Sequence, residues 1–191
     1  MNGTGVIRSQ FEVVHSIFQS QMRSLEPHEW TARTRADGNL IGFEFWHMAA
    51  TQDWVVQVVL RGLPEVRQSV RWRDHSGVNP PVPPFGMSLE QADQIAHAAS
   101  AQDIAAYEQD VYSVNLAWLT SIDDPELDRV PDLRANALER YLQERVTEHY
   151  VTELADQMSW SVCRFLTSPA IGHLRGHFGE IDAELEHLRR R

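Results

Sequence analysis

A single cysteine, Cys163, excludes any disulfide within the chain and suits a reducing compartment. Its setting, Trp160-Ser161-Val162-Cys163-Arg164-Phe165-Leu166, is apolar and reads as a packed thiol rather than a nucleophile. Long apolar runs are also missing. No segment approaches the length of a membrane span, and MNGTGVIRSQFEVVHSIF at the N-terminus has no uninterrupted apolar core of the signal-peptide kind. The expectation is a cytoplasmic protein with no membrane partner. Clustered positive charge is confined to Arg189-Arg190-Arg191, which suits a helix C-terminus. With a net charge of −10, an electrostatic grip on a nucleic-acid backbone is not expected. Strand-like alternation, internal repeats and low-complexity tracts are absent as well, which leaves an all-α fold.

What remains is an ordinary globular composition, 42% hydrophobic and 23% charged over 191 residues, enough to bury a core as one domain spanning 1–191 without staples. Thr4 is a candidate cap for a first helix. Ile7, Phe11, Val14, Phe18, Met22 and Leu25 carry its apolar face until Pro27. Asn39 is a candidate cap for a second helix over about 40–61, ended by Gly62-Leu63-Pro64. Residues 65–87 form a Pro-rich connection, long enough to act as a cover or rim, with Trp72, His75 and Phe85 as candidates for a pocket mouth, or else to pack simply over the bundle end. Ser88-Leu89-Glu90-Gln91 has capping-box spacing for a short helix. Ser100 to Asp103 begins a third long helix that runs to about Ser121. A further helix is expected over about 132–156, a short one over 159–166, and a last long one from Ser168, as cap, to Arg191. Four long amphipathic helices cover one another's stripes in a bundle, a frequent home for metals held by facing side chains.

Two features carry chemistry. On the last helix, His173 and His177 are four residues apart, so their rings stack on one edge, which also bears Glu180 and Glu184. Neutral imidazoles in this arrangement suit zinc, nickel, copper or iron, although a pair lacks a third ligand. On the second helix, His47 projects to the centre of a face made by Leu40, Phe43, Ala50, Trp54 and Val58. A histidine placed there needs a partner for each ring nitrogen, either a neighbouring carbonyl or hydroxyl or a metal ion. Trp54 and Phe43 are candidates for pocket wall or for plain core.

A central histidine on helix two, a long variable connection, Ser100-Ala101-Gln102-Asp103 leading a third helix, and His173-x-x-x-His177 followed by Gly179-Glu180-Ile181 together resemble the DinB-like superfamily, which includes YfiT-like proteins. The resemblance extends over essentially the whole chain, with residues 132–156 as an enlargement. It implies a four-helix bundle of up-down-down-up arrangement with extra short helices. It also implies a homodimer, and one divalent metal held by His47, His173 and His177. In the related mycothiol-dependent maleylpyruvate isomerases a glutamate often stands where this chain has His173, so the chain is closer to the three-histidine branch. The implied function is metal-dependent S-transfer or isomerisation, with zinc or nickel as the metal, a low-molecular-weight thiol such as mycothiol or bacillithiol, and a small-molecule substrate. Glu180 is the candidate for orienting an imidazole or moving a proton, set against a merely solvated glutamate. Two other functions stay open. One is a metal-binding stress-response bundle without turnover. The other is a di-iron carboxylate protein, since Glu44-x-x-His47 and Glu184-x-x-His187 share the spacing of that class. His187 lies about 15 Å along the helix from His177, too far for His47 to serve both.

Overall fold

The computed structural model describes residues 2–81, 83–139, 152 and 154–190. Among them there are helices and turns and no strand, as expected. Helix α1 spans Gly3–Ser24, α2 Ile41–Asp53, α3 Leu89–Ala98, α4 Ala101–Ser121, α5 Val162–Thr167 and α6 His173–Arg189. None of them is long and apolar enough to cross a membrane. Of the helix expected over about 132–156, residues 140–151 and 153 lie outside the described set; Leu133 to Glu139 is helical, and Leu138 and Leu154 are buried.

The side-chain contacts fix the directions of the four long helices. His15 meets Glu108 and Gln19 meets Ala105, so α1 and α4 are antiparallel. Asp53 meets Tyr107 and Gln57 meets Asn115, so α2 runs parallel to α4. Gln10 meets Arg175 and Gln21 meets Asp182, which makes α1 and α6 parallel. Gln52 meets Ala170 and His47 meets His173, which makes α2 and α6 antiparallel. The result is the up-down-down-up bundle, with α1 and α2 diagonal and touching through Phe18 and Phe45, whose ring centroids are 5.2 Å apart. Because α2 has α3 on its outer side and packs on α4 and α6, nearly all its residues are buried. His47 and Thr51 are the exceptions. His47 is thus not the centre of a covered face, as the helical projection suggests. It lies on the one strip of α2 left uncovered.

Three helix ends differ from expectation. Asn2 rather than Thr4 caps α1, accepting from the Gly5 N–H at 3.0 Å. Asn39 makes no cap for α2; its side chain donates to Glu44 instead. Ser168 opens no new helix. Ser161 caps α5, which continues through a π-helical turn at Ser168–Gly172 into α6. Pro169 cannot donate an α-helical hydrogen bond, and the wider turn accommodates it without a break. A second π-helical stretch, Trp54–Leu60, prolongs α2, and Gly62 ends it with the positive φ of 64° that glycine takes readily.

The connection 65–87 is tied down at several points. Trp46 Nε1 donates to the Val78 carbonyl, and the Arg67 guanidinium reaches the Pro80 carbonyl. Asp53, fully buried, accepts from the backbone N–H groups of Val66 and Arg67 and from the Tyr107 hydroxyl at 2.7–3.1 Å. Burial and the nearby Glu65 carboxylate push the Asp53 carboxyl up to about 7 from an ordinary 3.8, against the pull of those donors. Over that interval the folded chain binds the Asp53 proton and the unfolded chain does not. The Asp53 contribution to stability is therefore full below about pH 4 and is lost as pH rises toward 7. Asp53→Asn cannot titrate, so its stability relative to wild type should rise across that range. Urea midpoints measured at several pH values check this, and parallel profiles for the two proteins would contradict it.

Candidate metal centre

His47 on α2 and His173 and His177 on α6 converge where the antiparallel helices face one another. The Nε2 atoms of His47 and His173 are 2.9 Å apart, and those of His173 and His177 3.0 Å. The rings stand nearly edge to face, at 75–86° to one another. His47 and His177 are half-buried, and His173 is more open.

The other ring nitrogens decide what these Nε2 atoms present. His47 Nδ1 lies 2.7 Å from the Pro84 carbonyl, a pure acceptor, so Nδ1 carries the proton and Nε2 keeps its lone pair. His177 Nδ1 lies 2.7 Å from Glu44 Oε2 and 3.0 Å from Glu180 Oε2. Neither contact is aligned as a hydrogen bond, but the charge of two carboxylates at this range favours the proton on Nδ1, which leaves the Nε2 lone pair facing inward. Two lone pairs therefore point at His173 Nε2, which carries at most one proton and can satisfy only one of them. A cation fits this arrangement. Nitrogens bound to one ion at about 2.0–2.1 Å lie no more than about 4.2 Å apart, and the observed spacings meet that condition. Burial pushes the His47 imidazole down to about 4, and any charge carried by His177 acts in the same direction. Burial, with its two histidine neighbours, pushes His173 down to about 3. Both are neutral near pH 7, the form that ligates. At His177 burial opposes the charged form, but the Glu44 carboxylate beside it outweighs burial and raises its pKa. The converse holds for Glu44: burial works against its charge, and the contacts with His177 and Asn39 keep it below its ordinary value.

Glu44 is the residue that sequence reasoning placed elsewhere, in a di-iron motif. Its carboxylate is held by Asn39 Nδ2 at 2.6 Å on one oxygen and meets His177 with the other. The spacing Glu44-x-x-His47, three residues on one helix face, was the available signal. Glu180 does meet His177, though its side chain is 69% exposed. Among the described residues, the sets of three or more side chains able to hold a metal are His47, His173 and His177, and Glu44, His177 and Glu180; neither includes Glu184 or His187.

The cluster sits between two clefts. One, of about 430 Å³, is polar and includes Arg35, Asp37, Glu44, Glu180 and Glu184 in its wall; burial raises the pKa of Glu184 there. The other, of about 420 Å³, lies on the His47 and His173 side, and among the described residues its lining includes no Asp, Glu or Arg. Trp54 and Phe85 form part of its wall, whereas Phe43 stacks on the His47 ring at 5.7 Å. Trp72 and His75 do not border this cleft. Trp72 is buried against Tyr107 and donates to Asp110, and His75 meets Asp103 at 3.5 Å. Their segment turns toward α4 before residues 84–85 return to His47.

The sequence contains no lysine, so Schiff-base chemistry on a lysine is not open to this chain. The arrangement is an all-α bundle with a His and Glu set able to coordinate a divalent metal. No protein-family model matches the chain, and a search of curated proteins finds no similar sequence.

Proposed function

We propose that this protein is a metal-dependent enzyme that transfers a low-molecular-weight thiol, such as mycothiol or bacillithiol, to a small electrophile or isomerises the adduct. His47, His173 and His177 hold one divalent transition metal, zinc or nickel. The observation that carries the reading is the placement of acceptors: Pro84 and Glu44 occupy the Nδ1 sides of two rings, while the Nε2 atoms converge on His173 Nε2 at 2.9 and 3.0 Å. A divalent ion on three neutral imidazoles keeps an open coordination position and lowers the pKa of a thiol or water bound there. The chain's own residues do the rest. Glu44 orients His177 from within the bundle, and Glu180, reaching the same nitrogen from the solvent side, takes up or releases a proton at the edge of the polar cleft. The resemblance to DinB-like proteins agrees with this reading and with a cytoplasmic homodimer.

Elemental analysis of tag-free protein, followed by a thiol-consumption assay with an electrophilic acceptor, tests the proposal. The expected result is about one zinc or nickel ion per chain and thiol consumption that chelator abolishes. Protein purified without metal, and unable to take it up, would overturn the site. Bound metal with no thiol consumption would leave a binding protein in place of an enzyme.

A further inference from the structure

The cleft beside His47 and His173, whose described lining is uncharged, is bordered by a threonine whose hydroxyl is not used elsewhere. Among the described residues, Thr51 Oγ1 is buried and has no hydrogen-bond partner. Elsewhere in this chain a helical threonine turns its hydroxyl back to the carbonyl one turn earlier, as Thr120 does to Leu116 and Thr167 to Cys163, both at 2.8 Å. Thr51, one turn after His47 on the uncovered strip of α2, does not; its side chain lines the cleft with Oγ1 enclosed just beneath the surface, and the second χ1 rotamer open to a helical threonine presents that hydroxyl to a ligand. The cleft's aromatic walls are braced. Trp54 packs edge-on to Phe85 at 5.0 Å, Trp160 tilts against Phe165 at 5.4 Å, and the Arg164 guanidinium lies over the Trp160 ring at 4.1 Å. Its volume of about 420 Å³ is that of a small-molecule site. The charged groups around the cluster lie on the opposite side, in the polar cleft.

We infer that the apolar cleft is the substrate pocket and takes an uncharged, flat aromatic body, whose polar head lies between the Thr51 hydroxyl and the face of His47 and His173. The inference rests on the metal-dependent reading of the cluster for the chemistry, but the pocket itself does not depend on metal. Aromatic walls stack a planar ligand, the uncharged lining among the described residues disfavours an ionic body, and Thr51 supplies a hydrogen bond beside the site of reaction. The polar cleft is then left to the second, charged or hydrophilic reactant. Thr51 is a positioning residue that selects the ligand head, and Phe85 and Trp160 select its body.

Two hydroxamates with the same metal-binding head, benzohydroxamate and acetohydroxamate, separate the ring from the head. On zinc-loaded protein, calorimetric titration should show benzohydroxamate binding at least about tenfold more tightly. Phe85→Ala should reduce that ratio severalfold without changing acetohydroxamate binding. Thr51→Val, of the same shape, should weaken both ligands about threefold or more. Equal affinities of the two hydroxamates for wild type would overturn the pocket while leaving the metal reading intact. If the protein holds no metal, the pocket is tested by itself. Benzyl alcohol, which has no metal-binding head, should give saturation-transfer NMR signals with metal-free wild type that weaken in Phe85→Ala. Absence of signal with wild type would overturn the inference.

Discussion

Replacing Arg67 by methionine should destabilise the protein by about 3–5 kcal/mol, the cost of stranding a buried charge. The Arg67 and Glu65 side chains are 4% and 0% exposed, and the guanidinium donates to both Glu65 oxygens at 2.9 and 3.1 Å. The Asp53 carboxyl is close enough for Glu65 to raise its pKa, so loss of the guanidinium leaves neighbouring acidic groups in an apolar interior without that cation. Methionine fills much of the volume, and the loss is therefore electrostatic more than steric. The double variant Glu65→Gln, Arg67→Met removes the stranded charge and should recover most of the stability. Urea unfolding of wild type, Glu65→Gln, Arg67→Met and the double variant measures this, and a single Arg67→Met variant within about 0.5 kcal/mol of wild type would show that the pair is not a buried ion pair in solution. The effect should extend to the histidine cluster, because Arg67 helps anchor the same connection that carries Pro84.

The second large effect concerns metal affinity. Four-ligand zinc sites are worth about 10–16 kcal/mol, so one ligand of a smaller set carries on the order of 3–4 kcal/mol. His173→Ala should then weaken zinc binding by a hundredfold to a thousandfold, as read by competition with a chelator of known affinity. Glu44→Gln keeps the shape but removes the charge that holds the proton on His177 Nδ1, and should cost roughly ten- to a hundredfold. Glu180→Gln, at a largely exposed side chain, should cost less than Glu44→Gln. Unchanged zinc affinity in Glu44→Gln would remove Glu44 from the role of orienting His177.

His173 and His177 were legible because helical spacing alone stacks them, and the four long helices because their stripes recur at three and four residues. The position of His47 was legible, but its surroundings were not: α2 is buried on nearly every side, and a projection that assumes one inward face puts the histidine at the wrong depth. Glu44 shares a helix face with His47, yet nothing in the sequence reports that Asn39 and His177 would claim its two oxygens. The Pro84 carbonyl has no side-chain signature at all, since a backbone acceptor becomes informative only once the fold carries it to the ring. At Ser168-Pro169, two helix-start signals coincided on a π turn instead, because proline's missing N–H is tolerated wherever the local hydrogen bonding is already displaced.

That π turn also sets an angular phase. Each residue in an α-helix advances the direction of its side chain by about 100°, and a π turn holds one residue more than an α turn of the same height. The five residues Ser168–Gly172 therefore act as a phase shifter between two helices that share an axis but not a rotation. The packing of Phe165 and Leu166 on one side of the turn is thereby set in phase with that of Leu174, Phe178, Ile181 and Leu185 on the other, and the inward aim of His173 and His177 follows from it. A one-residue change in length at this point would rotate α6 as a whole, turning the histidine pair away from α2 and the stripe Leu174, Phe178, Ile181 and Leu185 out of the core, so the length of this turn holds site and core in register together.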